Sequence, residues 1–147
     1  MLTLGKIDHI HIRVTDLLQA QAWYQRVLNL APDARYKHLQ SGDHGVVMLA
    51  NSSGSVRLAI SQESKLVCEP GSVAFGVSGQ DFLEWIDQLA GERVITRDGQ
   101  SVARDSARDH QFFFSISFVD PFGNPFEIVS YDHTWLAGKL KLNGRHG

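Results

Sequence analysis

A single carboxylate, Glu127, is the side chain of this sequence that most clearly needs a chemical partner. It lies in residues 118–128 (FVDPFGNPFEI), which are typical of a strand, a tight turn and a second strand. Alternation along the second strand turns Phe126 and Ile128 to one face and Glu127 to the other. A carboxylate among apolar neighbours is costly unless it meets a cation, a metal or water. The position of Glu127 therefore predicts a functional site in front of it.

Three polar side chains near the start of the chain share one strand face. Residues 6–14 (KIDHIHIRV) alternate strictly, so His9, His11 and Arg13 oppose an aliphatic face. Two imidazoles two residues apart could bind one metal ion, and with Glu127 they would form a two-histidine, one-carboxylate set with open positions. The alternatives are that the histidines form a hydrogen-bonding wall, or that Glu127 accepts a hydrogen bond from His9 directly.

Arginines and phenylalanines could complete a small-ligand site. Arg13 and Arg57 lie on polar strand faces, where a guanidinium suits a carboxylate or phosphate, unless both reach solvent near strand ends. A long strand is predicted over 110–120. Phe112, Phe113 and Phe114 alternate along it, so at least one of them, Phe113, should reach an apolar ligand cavity with His110 at its mouth. The other histidines are predicted to be solvated: His38, His44, His133 and His146.

Composition excludes several classes of protein. The 147 residues are 43% hydrophobic and 20% charged, which predicts a globular chain of one domain or two half-domains. A net charge of −2 argues against nucleic-acid binding. No apolar run approaches the roughly 20 residues that span a bilayer, and no signal peptide is evident. With one cysteine, Cys68, there is no internal disulfide, and we expect a cytoplasmic protein.

The elements that position these residues occur twice. Residues 5–60 and 71–131 each read as strand, helix and three further strands, followed by a tail, 132–147, that is a short docked helix or a frayed end. Asp16 should cap the first helix, which runs to about Asn29 before a possible strand at 34–39. The second helix is predicted over 81–90 with Gly91 at its end, and a short strand over 93–96.

Superposing the two repeats brings chemically different residues into register. Val14 falls on Val77, which places His9 on Ser72, and the last strands place Ala59 on Glu127. We therefore expect an α+β fold of two βαβββ modules related by a pseudo-twofold axis, with half-open, barrel-like sheets around a cavity and helices outside.

These segments resemble the vicinal oxygen chelate superfamily, which includes glyoxalase I, bleomycin-resistance proteins, fosfomycin-resistance enzymes and extradiol dioxygenases. The resemblance reaches nearly to Tyr131. The matching motifs are HIHIRVTDL at 9–17, WY at 23–24, VLNL at 27–30, SVAF at 72–75 and DPFGNPFE at 120–127.

The resemblance implies a degenerate metal site. In metal-dependent members the ligand positions correspond to His9, Ala59, Ser72 and Glu127, of which only His9 and Glu127 keep ligand chemistry. It therefore implies weak or absent binding of a divalent metal such as Fe, Mn, Zn or Ni, unless His11 compensates.

Two functions remain open at this point. The first is an enzyme with lyase, isomerase or dioxygenase chemistry, in which His9 and Glu127 are catalytic and a small anionic or aromatic substrate also meets Ser72 and the arginines. The second is a metal-free protein that sequesters a small molecule in the manner of bleomycin resistance. A protein-interaction module has little support. We also expect a homodimer, because half-open sheets leave edges that need cover, with Trp135 and Leu136 taking part.

Overall fold

Each half of the chain forms its own four-stranded mixed sheet. The computed structural model describes residues 1–41, 45–65 and 72–142, and the chain divides into two units, Met1–Val67 and Cys68–Gly147. The first unit contains β1 (Ile10–Val14), α1 (Leu17–Leu28), β2 (Ala31–Pro32), β3 (Val46–Ala50) and β4 (Arg57–Gln62). The second contains β5 (Val73–Gly76), α2 (Gly79–Gly91), β6 (Arg108–Asp109), β7 (Phe114–Val119), β8 (Pro125–Ser130) and α3 (His133–Leu142).

The first sheet has the order β1-β4-β3-β2, with β1 parallel to β4 and the other pairs antiparallel. As predicted, Asp16 caps α1, its Oδ1 accepting from the Gln19 backbone N–H at 3.0 Å. Asn29 ends the helix in the left-handed conformation with φ 58°. The side chains that α1 buries are Ala20, Trp23, Tyr24, Val27 and Leu28.

The second sheet repeats this plan in the order β5-β8-β7-β6, with β5 parallel to β8. The predicted turn before β8 is present: Gly123 N–H donates to the Asp120 carbonyl at 3.1 Å, and Gly123 has φ 89°. Phe118, Phe126 and Ile116 are fully buried on the apolar face. The α+β fold class and its two repeated units are thus confirmed.

The strand predicted at 34–39 is wrong. A 3-10 helix, Ala34–Ser41, follows β2 instead. The Asp33 side chain starts it, because Oδ1 accepts from the Arg35 backbone N–H at 3.1 Å and the Asp33 carbonyl accepts from Tyr36 at 3.0 Å. These local hydrogen bonds satisfy backbone N–H groups that, in a strand, would need acceptors on a neighbouring strand.

The long strand predicted over 110–120 is also wrong in its first third. A turn separates β6 from β7: His110 N–H donates to the Phe113 carbonyl at 2.9 Å, and Gln111 has φ 79°. The Asp109 carboxylate stabilises the turn by accepting from Gln111 N–H at 2.8 Å. As a result Phe112 is 65% exposed, whereas Phe114, the first residue of β7, is buried.

Smaller differences concern where elements begin and end. β1 begins at Ile10 rather than at residue 6. α2 begins at Gly79, since Ser78 caps it by accepting from Asp81 N–H at 3.1 Å. Gly91 is its last residue, but Arg93 takes the left-handed conformation with φ 60°, and the strand predicted over 93–96 is reduced to one bridge between Ile95 and Ser101.

The tail is a docked helix as far as the structure describes it. Leu136 on α3 is fully buried. Among the residues described, no helix has the length and apolar character needed to cross a membrane.

Candidate functional site

The polar face of the first sheet gathers most of the predicted site residues of that unit. Strand pairing places His11 beside Ala59 and Arg13 beside Ser61, and Met48 of β3 lies opposite Ala59. Alternation along β4 puts Arg57, Ala59 and Ser61 on this same face. We call this set the β1/β4 polar face.

His11 is held within the face by a serine that the sequence did not single out. Its Nε2 lies 2.7 Å from the Oγ of Ser61, a residue that is 7% exposed. Partial burial lowers the pKa of the His11 imidazole, and the positive charges of Arg13 and His9 lower it further. These effects favour the neutral imidazole of His11, which can accept or donate one hydrogen bond to a ligand.

His9 is oriented by its chain neighbour Asp8. The Nδ1 of His9 lies 2.9 Å from Asp8 Oδ2, and the tautomer that donates in this hydrogen bond leaves Nε2 for a ligand or a metal. This hydrogen bond is also the main reason why the pKa of the Asp8 carboxyl lies below its ordinary value. Asp8 was not predicted, because strict alternation places it on the opposite face. Since β1 begins at Ile10, that alternation does not extend to residue 8.

Arg57 is more deeply placed than a solvated arginine. Its side chain is 13% exposed, and Nη1 contacts Asp8 Oδ1 at 3.5 Å. Its Nε is buried and finds no hydrogen-bond acceptor in the described parts of the chain. A buried donor without a partner costs about 1–3 kcal/mol. The predicted alternative of a solvated Arg57 is therefore wrong.

Arg13, by contrast, agrees with the alternative prediction that an arginine near a strand end reaches solvent. Its side chain is 56% exposed, and its Nε lies 3.7 Å from Glu63 Oε1, which is itself 48% exposed. Exposed pairs of this kind contribute roughly 0–1 kcal/mol to stability. Arg13 lies on the rim of the β1/β4 polar face.

The second sheet holds Glu127 through Ser72. The Ser72 hydroxyl donates to Glu127 Oε2 at 2.9 Å, while strand pairing flanks the half-buried Glu127 with Ala74 and Ser117. The position that the resemblance assigns to a lost ligand is thus a hydrogen-bond donor to the carboxylate. Ser72 and Glu127 form the β5/β8 pair.

Phe113 lies outside regular strand structure. It is half-buried in the turn between β6 and β7, stacks on His110 at 4.5 Å between ring centroids and lies 5.1 Å from the Tyr131 ring. His110 itself is 2.8 Å from Ser115 Oγ. The structure therefore gives Phe113 an aromatic cluster in its own unit rather than the strand position from which a cavity role was predicted.

The prediction of a solvated His133 is wrong. Its Nε2 donates to Asp109 Oδ1 at 2.6 Å, and its ring stacks on Phe114 at 4.9 Å. The hydrogen bond from His133 lowers the pKa of the Asp109 carboxyl. His38 is in the described part of the chain and is exposed, whereas His44 and His146 lie outside the described residues.

His133 borders an open pocket of ≈ 570 Å³ in the second unit that sequence reasoning missed. The start of α2 approaches the start of α3 here, and Gly79 N–H donates to Asp132 Oδ2 at 2.6 Å. A Cβ at Gly79 would lie 2.7 Å from the Trp135 ring, so this approach requires glycine. The lining residues are Ser78, Gln80, Tyr131, Asp132, His133, Thr134 and Trp135.

The donor side chains that the structure describes do not fit a complete divalent-metal site. Over residues 1–41, 45–65 and 72–142, no group of three or more His, Cys, Asp or Glu side chains is placed to hold a metal ion. His9 and Glu127 have ligand chemistry, but Ala59 has none, and the Ser72 hydroxyl is committed to Glu127.

Comparison with solved structures supports the fold. A glyoxylase/bleomycin resistance protein/dioxygenase domain from Frankia sp. EAN1pec matches with a TM-score of 0.72 at 17% identity, covering 90% of this chain and 99% of that one. A point mutant of the fosfomycin resistance protein FosX from Listeria monocytogenes, complexed with Mn(II) and 1S,2S-dihydroxypropylphosphonic acid, matches with a TM-score of 0.64 at 16% identity, covering 87% of this chain and 93% of that one. At these identities the likeness shows the fold alone.

Sequence comparison supplies the family. No curated protein matches the chain. The family model described as Glyoxalase/Bleomycin resistance protein/Dioxygenase superfamily matches residues 6–128. This range includes β1 at one end and Glu127 at the other. The chain therefore belongs to the Glyoxalase/Bleomycin resistance protein/Dioxygenase superfamily.

Proposed function

We propose that this protein binds a small polar molecule without requiring a metal, and that each unit offers its own polar groups to such a ligand, the β1/β4 polar face in the first unit and the β5/β8 pair in the second. The observation that carries the proposal is the 2.9 Å hydrogen bond from Ser72 to Glu127, which gives the carboxylate a partner where a metal-dependent relative would supply a ligand. The His11 imidazole and the Glu127 carboxylate can accept hydrogen bonds from hydroxyl or amine groups of a ligand, and Arg57 attracts a negative group.

The experiment uses 1S,2S-dihydroxypropylphosphonic acid, the molecule bound in the FosX structure, as a probe. It offers hydroxyl donors and an anionic group. We expect calorimetry to detect binding to chelator-treated protein, and Glu127→Gln to weaken it about tenfold, the size of one hydrogen bond to a charged group. Asp98→Asn, on the exposed surface of the second unit, is the matched control. Binding that appears only after Mn(II) is added would contradict the proposal.

Metal-dependent enzyme activity is the second candidate. Two observations favour it: the Asp8–His9 pair orients Nε2 as carboxylates orient metal-bound histidines, and a FosX relative binds Mn(II). Elemental analysis of protein purified without chelator decides between the two candidates. Stoichiometric metal that is lost with His9→Ala would support the enzyme, whereas absence of metal from protein that still binds the probe supports the binding function.

A homodimer is a separate part of the proposal. β1 and β2 are the edge strands of the first sheet, β5 and β6 those of the second, and an edge strand offers unpaired backbone groups to another chain. Trp135 is 43% exposed and available for such a contact, but Leu136 is fully buried, so its predicted part in the interface is wrong. Light scattering at micromolar concentration should give twice the chain mass of 16.4 kDa, and the monomer mass would refute the dimer.

A further inference from the structure

Arg57 carries fewer hydrogen bonds than its burial requires. A guanidinium has five N–H donors in a fixed fork, yet Nε finds no acceptor among the residues that the structure describes. The contact between Nη1 and Asp8 Oδ1 is 3.5 Å long. In the same unit, Arg35 Nη2 reaches Asp33 Oδ2 at 2.7 Å, the distance of a strong charge-assisted hydrogen bond. Arg57 is therefore a cation held in place with a weak anionic partner.

Asp8 has the properties of an exchangeable partner. It precedes β1 in a segment that forms neither helix nor strand, and its side chain is 62% exposed. Its second oxygen, Oδ2, accepts from His9 at 2.9 Å, so loss of the contact with Arg57 would leave that hydrogen bond in place. Asp33 also lies within the electrostatic range of Arg57, but Arg35 already binds both of its carboxylate oxygens.

We propose that Arg57 binds a carboxylate or phosphate-type group of the ligand, and that this group replaces Asp8 Oδ1 on the guanidinium. The inference rests on the proposed function and deepens it, because it names the charged group that the β1/β4 polar face recognises. Asp8 then acts as an internal competitor: its carboxylate covers Arg57 in the free protein, and the ligand must displace it. The competition weakens anion binding and reduces the cost of a buried, unpaired cation in the free state.

The test titrates acetate, inorganic phosphate and acetamide into the full chain. Acetamide is the neutral isostere of acetate, and the arginine Nε–H signals in nuclear magnetic resonance spectra report on Arg57 directly. We expect acetate and phosphate, but not acetamide, to shift the Arg57 signal. Arg57→Gln should weaken binding of the two anions about tenfold or more, as for loss of a charge-assisted hydrogen bond.

Asp8→Asn gives the sharper result, because a purely structural ion pair would not produce it. Asp8→Asn removes the competing carboxylate, so it should tighten acetate and phosphate binding several-fold in the otherwise unchanged protein. In the Arg57→Gln background the same substitution should leave the affinity for both anions unchanged. Arg108→Gln and Asp98→Asn, an exposed pair 4.0 Å apart in the second unit, are the matched controls and should change neither affinity. Asp8 is an exposed residue, so this variant remains informative even if Arg57→Gln fails to fold.

The inference is overturned if Asp8→Asn leaves anion affinity unchanged, or if Arg57→Gln weakens acetate and acetamide equally. Its failure is distinct from that of the proposed function. If Arg57→Gln and Asp8→Asn change anion binding as expected but Glu127→Gln leaves binding of the dihydroxy phosphonate intact, the anion site at Arg57 stands and the proposed role of Glu127 fails. If Glu127→Gln weakens binding of the dihydroxy phosphonate but Arg57→Gln and Asp8→Asn leave anion binding unchanged, the role of Glu127 stands and the anion site at Arg57 fails.

Discussion

The two sheets share one backbone plan but carry opposite chemistry at matching positions. In the parallel pair of the first sheet His11 lies beside Ala59, and in that of the second sheet Ala74 lies beside Glu127. Each pair thus combines one functional side chain with one alanine, a base on β1 in the first unit and an acid on β8 in the second. The repeat determines where a side chain is presented, and the sequence of each unit determines what it presents.

Each unit also supplies a hydrogen-bond partner for one of its candidate site residues. Asp8 orients His9, and Ser72 donates to Glu127. In both cases the partner is close in space to a position where the superfamily resemblance implies a ligand. A missing metal ligand therefore need not leave the carboxylate without a partner: the Ser72 hydroxyl donates to Glu127, and we expect metal affinity to be low for that reason.

Ser72→His should produce the largest change, because it replaces the hydroxyl on Glu127 with the missing ligand. We expect calorimetric titration of Zn²⁺ or Mn²⁺ to show affinity at least about tenfold higher than in the parent, a lower bound taken from changes around metal ligands. Ser101→His, at an exposed position of the second unit, is the control for nonspecific binding by an added imidazole.

His11→Ala in both backgrounds decides whether the first unit already compensates. If His11 is a ligand, the substitution abolishes weak binding in the parent, and the gain from Ser72→His is small. Tight stoichiometric binding in the parent that survives His11→Ala would show that another residue completes the site.

Local sequence patterns predicted the fold and the orientation of Glu127, but not the hydrogen-bond partners of the candidate site residues. The repeat and the DPFGNPFE motif predicted the two-unit fold and the turn before β8, and alternation predicted that Glu127 faces away from Phe126 and Ile128, since alternation and turn chemistry are local. Asp8 was out of reach because its role depends on β1 beginning at Ile10, which leaves residue 8 free of strand alternation. The hydrogen bond between Ser72 and Glu127 joins residues 55 positions apart, so no local pattern encodes it.

Two errors in the strands have a common cause. At 34–39 and at 110–113, an aspartate just before the segment captures backbone N–H groups and starts a turn. Asp33 follows a proline, and Asp109 precedes the polar pair His110 and Gln111, signals that favour turns over strands. At 110–113 the alternation of three phenylalanines favoured a strand, and this capping was not taken into account.

The hairpin turns extend the comparison to stability. In the turn before β8, Asp120 is 3% exposed and its carboxylate accepts from Phe122 N–H at 2.9 Å and from Asn124 N–H at 2.8 Å. In the corresponding turn before β4, Asn51 Oδ1 accepts from Val56 N–H at 3.1 Å. The second turn is held by a buried charge and the first by a neutral amide.

Asp120→Ala should therefore destabilise the protein more than Asn51→Ala. We expect losses of about 2–4 kcal/mol and about 1 kcal/mol, since bonds to charged groups are stronger and the freed N–H groups are partly buried. Urea unfolding measures the difference in unfolding free energy between the two variants, provided that the dependence of that free energy on urea concentration is unchanged. Equal losses would show that the two turns contribute alike despite the charge.

The smallest expected effect concerns His11 and pH. Burial and nearby positive charge lower the pKa of His11 in the folded state, so the unfolded chain binds a proton more readily near the ordinary histidine pKa. Stability from the neutral imidazole is then fully present above that value and is lost as pH falls through the lower, folded pKa. His11→Gln should flatten this dependence by less than about 1 kcal/mol, because the ring is well exposed and solvent screens it.

The measurement is urea unfolding at pH values on either side of the ordinary histidine pKa, with His38→Gln, on the exposed surface of the first unit, as the control. If the parent and His11→Gln lose stability equally in acid, the hydrogen bond to Ser61 persists with a protonated ring, and His11 donates rather than accepts in that bond.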